Sequence, residues 1–234
     1  GGEILHLNGD GVTRLAHLQP QPMVGGDLAA KYPIRMVAGI LSSREDIYPW
    51  LKSRSRILPH GETELKVILK QIKNGVFIET TSCGRVLDSV SALLDICHER
   101  TYEGEPAMKL ESTAVGGRYV LDLKPQLERN VLRTTDLLDE IYDNLGKYDK
   151  RDLAFSAEEY IAEGIASIAV SLAEEYNVDS VGFSGGVAYN EHISRVIRMR
   201  IEENGLRFLS HREVPPGDGG VSFGQAVYAS KYGD

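Results

Sequence analysis

The chain has 234 residues, 42% apolar and 26% charged, with a formal net charge of −8 and a pI of about 5.3. That length supplies a real core and one large or two modest domains. The acidic balance argues against a general polyanion-binding surface and so against a nucleic-acid partner. No apolar run is long enough for a bilayer and no signal peptide opens the chain, so no membrane partner and a cytoplasmic location are expected.

In chain order, Glu3–Asn8 and Val12–Leu18 alternate around Asn8-Gly9-Asp10-Gly11, a hairpin signal. Their start at Gly1-Gly2-Glu3, without a Met or a cap, reads as the middle of a longer protein. QPQPMVGGD reads as a loop ending in a helix cap, Asp27, before a helix kinked near Pro33 that runs to about Leu41. Short or amphipathic helices follow over Ser43–Ser53, Glu62–Lys73, Cys83–Cys97 and Glu105–Thr113, with a strand expected at Tyr119–Leu123. Leu132–Leu145 and Ala157–Tyr176 are the longest predicted helices. The last third alternates strand Ser180–Phe183, helix Glu191–Glu203, strand Arg207–Leu209 and helix Val221–Lys231. The reading is an α/β fold with a largely helical insertion: hairpin over 1–20, helical region over about 27–178, and α/β unit over about 179–234. On one helix Cys83 and Cys97 stand about 21 Å apart, too far for a disulfide.

Ser180–Asn190, SVGFSGGVAYN, combines a short apolar strand with Gly185 and Gly186, which let the backbone bend and approach a ligand. If Val187–Glu203 is one helix, its first-turn N–H groups face that bend and favour a phosphate. Asp218 lies in PPGDGG before a second helix. It is a cap or a metal- and phosphate-orienting group with roughly equal weight. The turn lacks a Walker lysine and GxGxxG spacing, but Gly182-Phe183-Ser184-Gly185-Gly186 matches a nucleophile elbow, so a serine hydrolase stays a rival. Asp88 sits at the edge of a helix's apolar face, where a solvated Asp competes with a partly buried, ligand-holding one. Thr80, Thr81 and Ser82 are caps or phosphate and ribose contacts. The six histidines form no metal-ligand pair, and most of them read as surface residues. Glu158, Glu159 and Glu163 read as a solvated helix face.

Several segments occur together in one family. GGEIL, RLAHLQPQPMVGGDLA, TTSCGRVLDSVSALLDI, TYEGEPAMKLE, GFSGGVAYN and VPPGDGGVSFGQA resemble, in this order, the C-terminal part of HypF, the carbamoyltransferase of nickel–iron hydrogenase maturation. A weaker similarity reaches the threonylcarbamoyl-tRNA-modifying enzymes through GRVLDSVSALL, GEPAMKLE and SGGVAYN.

The resemblance implies an actin/sugar-kinase/Hsp70-like (ASKHA, RNase H-like) fold with a nucleotide site between two lobes. It implies that Gly185 and Gly186 approach phosphates, Asp88 holds ribose, Gly104 and Glu111 lie near the nucleoside, Asn190 lies near the nucleotide, and Asp218 is a metal ligand. The implied cofactors are ATP or carbamoyl adenylate and a divalent metal. The implied substrate derives from carbamoyl phosphate, and the implied acceptor is the C-terminal Cys of the partner HypE. The family's paired histidines and Asp-Gly-Thr-Gly motif are absent here, so the chain reads as truncated at its N-terminus, with an incomplete metal site and no activity as an isolated piece. A tRNA-type transferase and a non-catalytic HypE-docking fragment are the alternatives.

Overall fold

A computed structural model describes residues 1–9 and 11–232; Asp10, within the predicted hairpin turn, lies outside them. Strands β1 (Glu3–Asn8) and β2 (Gly11–Leu18) form the expected antiparallel hairpin. A second hairpin, β5 (Leu127–Glu128) with β6 (Val131–Leu132), joins it through a parallel β2–β6 pairing, giving the order β1-β2-β6-β5. The expected strand at Tyr119–Leu123 is not formed; the ladder falls on β5 and β6 instead. QPQPMVGGD is not all loop, since β3 (Gln21–Met23) pairs with β4 (Ile78–Thr80). Asp27 opens helix α1 (Asp27–Lys31) rather than capping it; the cap position is Gly26.

Pro33 separates α1 from α2 (Ile34–Ile40), as a residue without an N–H should. Helices α3 (Ile47–Ser53), α4 (Gly61–Lys73), α5 (Cys83–Leu93), α6 (Glu105–Ala114), α7 (Thr134–Asp143) and α8 (Lys150–Glu175) fill the middle of the chain. Helix α5 stops at Leu93, because Leu94 leaves helical geometry and Asp95 turns to φ 52°. Cys97 therefore lies beyond the helix, and both cysteines are free and buried.

The core lies along α8. Leu153, Ala157, Tyr160 and Ile161 are buried on it and pack with Val86, Val90, Leu110 and Ile193. The Tyr160 hydroxyl donates to the Arg133 carbonyl at 2.7 Å and accepts from the Gln126 N–H at 3.0 Å, tying the β5–β6 hairpin to this core. The C-terminal unit is β7 (Ser180–Gly182), α9 (Glu191–Glu203), β8 (Arg207–Leu209) and α10 (Val221–Tyr232). Strands β7 and β8 are parallel, as a strand–helix–strand crossover requires. Among the described residues no helix is long and apolar enough to cross a membrane.

Candidate functional site

Parallel strands deliver their following loops to one edge, and ligands of open α/β sheets gather there. Here Gly182 pairs with Leu209 at the carboxyl ends of β7 and β8, and the loops 183–190 and 210–220 leave side by side. They are joined directly. The Gly185 N–H donates to the Pro216 carbonyl at 2.7 Å, and the Ser184 hydroxyl lies 3.1 Å from the same oxygen. Gly185 has φ 104° and ψ 175°, a region that only glycine occupies cheaply. Gly217 lies so close to the Tyr189 ring that a Cβ there would stand 2.8 Å from Cε2.

The segment after Gly185 is not one helix. Gly186–Tyr189 forms a 3₁₀ turn, closed by Ala188 N–H to Gly185 O (3.0 Å) and Asn190 N–H to Val187 O (2.9 Å). Asn190 then becomes extended and α9 restarts as its own helix. The start of α9 is occupied by protein groups. Asn190 Oδ1 accepts from the Ile193 N–H at 2.8 Å, and Glu111 Oε1 accepts from the Glu191 N–H at 2.7 Å. The expectation that a phosphate sits on this helix end is therefore corrected. The donors left for an anion are the Gly186 and Val187 amides, which open the 3₁₀ turn and have no carbonyl behind them within it.

The other predicted residues are spread over several places. Glu111 and Asn190 meet at the start of α9, as described. Burial pushes the Glu111 carboxyl above its ordinary value, against the pull of the Glu191 N–H. Asp88 is 1% exposed, between α5 and α6, not on the loop junction. Its Oδ2 lies 2.9 Å from Arg85 Nη2, and the carboxylate faces the Ala107 amide in the first turn of α6, although neither oxygen has a well-aligned hydrogen bond. Burial, only partly offset by Arg85 and Arg100, raises its pKa to about 6. Gly104 is the left-handed residue (φ 75°) that starts α6. Asp218 is exposed in a 3₁₀ turn, Asp218–Gly220, whose cap position is Gly217, and its side chain makes no hydrogen bond among the described residues. Ser82 does cap α5, Thr80 accepts from the Ser82 N–H, and Thr81 bonds Glu3.

Burial departs from the sequence expectation most at Glu158 and His192. Glu158 is fully buried and His192 nearly so, at 10% side-chain exposure. Glu158 Oε1 accepts from Asn190 Nδ2 at 2.7 Å, and Oε2 lies 3.1 Å from His192 Nδ1; His192 Nε2 lies 2.7 Å from Glu159 Oε2. Burial opposes charge on this imidazole, but the bonds to the two glutamates outweigh it and raise its pKa to about 9. Glu163 is likewise engaged, with Arg200 at 2.8 Å. The three glutamates are thus a helix–helix seam rather than a solvated face. The surface reading of the histidines also fails in part: His60 and His211 are exposed, while His6, His17, His98 and His192 are partly buried. The signal was present, since Glu158 falls on the α8 stripe that includes Ala154 and Ile161 at helical spacing.

The hydrolase elements are split. Ser184 Oγ lies 3.0 Å from His211 Nε2, but no carboxylate among the described residues bonds His211. His192 has two carboxylates but no serine. The amide after the serine, which an elbow needs for its oxyanion hole, is already given to Pro216.

For a metal the residues present do not suffice. Among the described residues no group of three or more His, Cys, Asp and Glu could hold an ion, and Asp218 stands as a single candidate ligand.

Comparison with known proteins fits this geometry. Residues 1–225 match the family model described as carbamoyltransferase, Kae1-like domain, second subdomain. The chain belongs to the HypF carbamoyltransferase family. It is 39% identical to the probable carbamoyltransferase HypF of Methanocaldococcus jannaschii, over 97% of this chain and 30% of that protein. It is 30% identical to HypF of Rhodobacter capsulatus, over 98% of this chain and 30% of that one. The chain thus spans about a third of the length of these HypF relatives. The crystal structure of T. kodakarensis HypF superposes with a TM-score of 0.90 at 41% identity, covering 99% of this chain and 32% of that one. Full-length HypF in a phosphate- and nucleotide-bound form superposes at 0.88 and 29% identity, covering 98% of this chain and 30% of that one.

Proposed function

We propose that this chain is one lobe of an ASKHA-type nucleotide site, and that the intact polypeptide carrying it transfers a carbamoyl group from carbamoyl phosphate, through carbamoyl adenylate, to the C-terminal Cys of HypE. The observation that carries the reading is the junction of the Gly185 and Pro216 loops at the carboxyl ends of two parallel strands. The relative solved with phosphate and nucleotide bound supports it.

The chemistry asks little covalent work of this chain. The acceptor thiolate, having lost its proton to solvent, attacks the carbamoyl carbon. The S–C bond forms, the C–O bond to phosphate breaks, and AMP leaves with the bonding pair. Amides at Gly186 and Val187 hold phosphate oxygens where that charge collects. Gly104 and Glu111 form the nucleoside side of the wall, with Asp88 beneath it. The chain's own thiols are poor acceptors. Burial pushes Cys83 up to about 12 and raises Cys97 as well, which fits a nucleophile brought by a partner. No step is assigned to a metal.

The test is labelled carbamoyl phosphate with ATP, HypE and the intact polypeptide. Label on the C-terminal peptide of HypE is expected. An unlabelled HypE in a reaction that consumes ATP rules the transfer out.

A further inference from the structure

We propose that Glu158 is a positioning residue for the 185–190 turn, acting through Asn190 and His192. Its effect on nucleotide rests on the function proposed above; its effect on the turn does not.

A carboxylate with no exposed surface is tolerated only when its oxygens are satisfied. Both partners of Glu158 lie at the start of α9: Asn190 Nδ2 on Oε1 and His192 Nδ1 on Oε2. The Asn190 side chain is therefore fixed in one sense. Its NH₂ faces the carboxylate and its oxygen accepts from the Ile193 N–H, so a flipped amide would lose both bonds. The Asn190 N–H in turn closes the 3₁₀ turn on the Val187 carbonyl at 2.9 Å. A continuous path thus runs from α8 through Glu158 and Asn190 to the residues that carry the free phosphate donors. His192, tilted against the Phe155 ring with centroids 4.3 Å apart and bonded to Glu159, holds the second oxygen in place. Adhesion of α9 to α8 does not need this cluster, because Ile161, Ile193 and Ile197 are buried in the same core. What the polar end adds is orientation.

The experiment uses the intact polypeptide with Glu158→Met, which fills the space without an acceptor, Glu158→Gln, which keeps an acceptor for Asn190, and Asn190→Ser, which can still cap α9 but is too short to reach Glu158. Amide exchange of the 184–195 peptide and ATP affinity by calorimetry are read together. Glu158→Met and Asn190→Ser are expected to speed exchange and weaken ATP about 10- to 100-fold, the range seen when an orienting partner is removed. Glu158→Gln is expected to stay within about threefold of wild type. Combining Glu158→Met with Asn190→Ser should cost no more than either alone. Unchanged exchange in folded Glu158→Met or in Asn190→Ser, or additive effects, overturns the role. A wild type that binds no ATP overturns the nucleotide reading alone, and the exchange arm then decides the positioning role by itself.

Discussion

The Gly185 amide and the Pro216 carbonyl, 2.7 Å apart, make one structural unit of two loops that leave adjacent parallel strands. The acceptor belongs to Pro215-Pro216, whose rings fix φ at both positions and so restrict the loop that presents it. With Ser184 Oγ at 3.1 Å on the same carbonyl, the glycine bend is held from the PPGDGG side and not only by its own turn.

That arrangement separates the two glycines. Gly185→Ala puts a side chain at φ 104°, at a cost of about 1–3 kcal/mol, although its Cβ would meet nothing within 4 Å. Gly186 has no such φ and equally open space. Thermal unfolding should show Gly185→Ala less stable and Gly186→Ala near wild type. On the proposed site ATP affinity should fall in both, because a Cβ at Gly186 would crowd the amides proposed to hold phosphate. Unchanged ATP affinity in Gly186→Ala removes the close-approach argument.

Ser184 is expected to be dispensable as a nucleophile. Its hydroxyl pairs with Pro216 O and His211, and the neighbouring amide is spent on Pro216. Ser184→Ala should keep carbamoyl transfer within about tenfold, the loss of one polar contact. A fluorophosphonate probe should leave Ser184 unlabelled; labelling there brings the hydrolase back.

The hairpin, the amphipathic helices and the β7–α9–β8 unit were legible because their apolar spacing is local. What failed depended on partners distant in sequence. Tyr119–Leu123 has strand composition but no neighbouring strand takes it. The helix ending at Leu93 continues in apolar pattern to Cys97, yet Asp95 breaks it with a positive φ. At the site, the glycine bend could be read from turn chemistry, whereas Asn190 entered through the resemblance. Glu158 and His192 could not be paired by spacing, because they sit on different helices. Asp88 was placed at a face edge, but its near-complete burial comes from α6 packing over it.

Asp218 distinguishes a cap from a ligand. Its side chain makes no hydrogen bond among the described residues, and the residue is exposed. Asp218→Ala should therefore change stability by no more than about 0.5 kcal/mol, as for a surface residue. Any loss in ATP titration with Mg²⁺ then reports a ligand role. A marked fall in unfolding temperature, with ATP affinity kept, restores the cap.

His192 sets the alkaline behaviour of the α8–α9 seam. Its pKa of about 9 lies above the ordinary 6.5, so the folded protein keeps a proton that the unfolded chain has released. The stabilisation is full below about pH 6.5 and is lost as pH rises through about 9. The groups around it, Glu158 and Glu159 in contact and Glu111 nearby, are all acidic, so each favours the imidazolium. His192→Gln stays neutral throughout. The gap in unfolding temperature between wild type and this variant should be widest below about pH 6.5, shrink as pH rises towards about 9, and change no further above it. Such closing is the mark of a proton held between Glu158 and Glu159. A gap that stays constant across that range assigns the contact to shape alone.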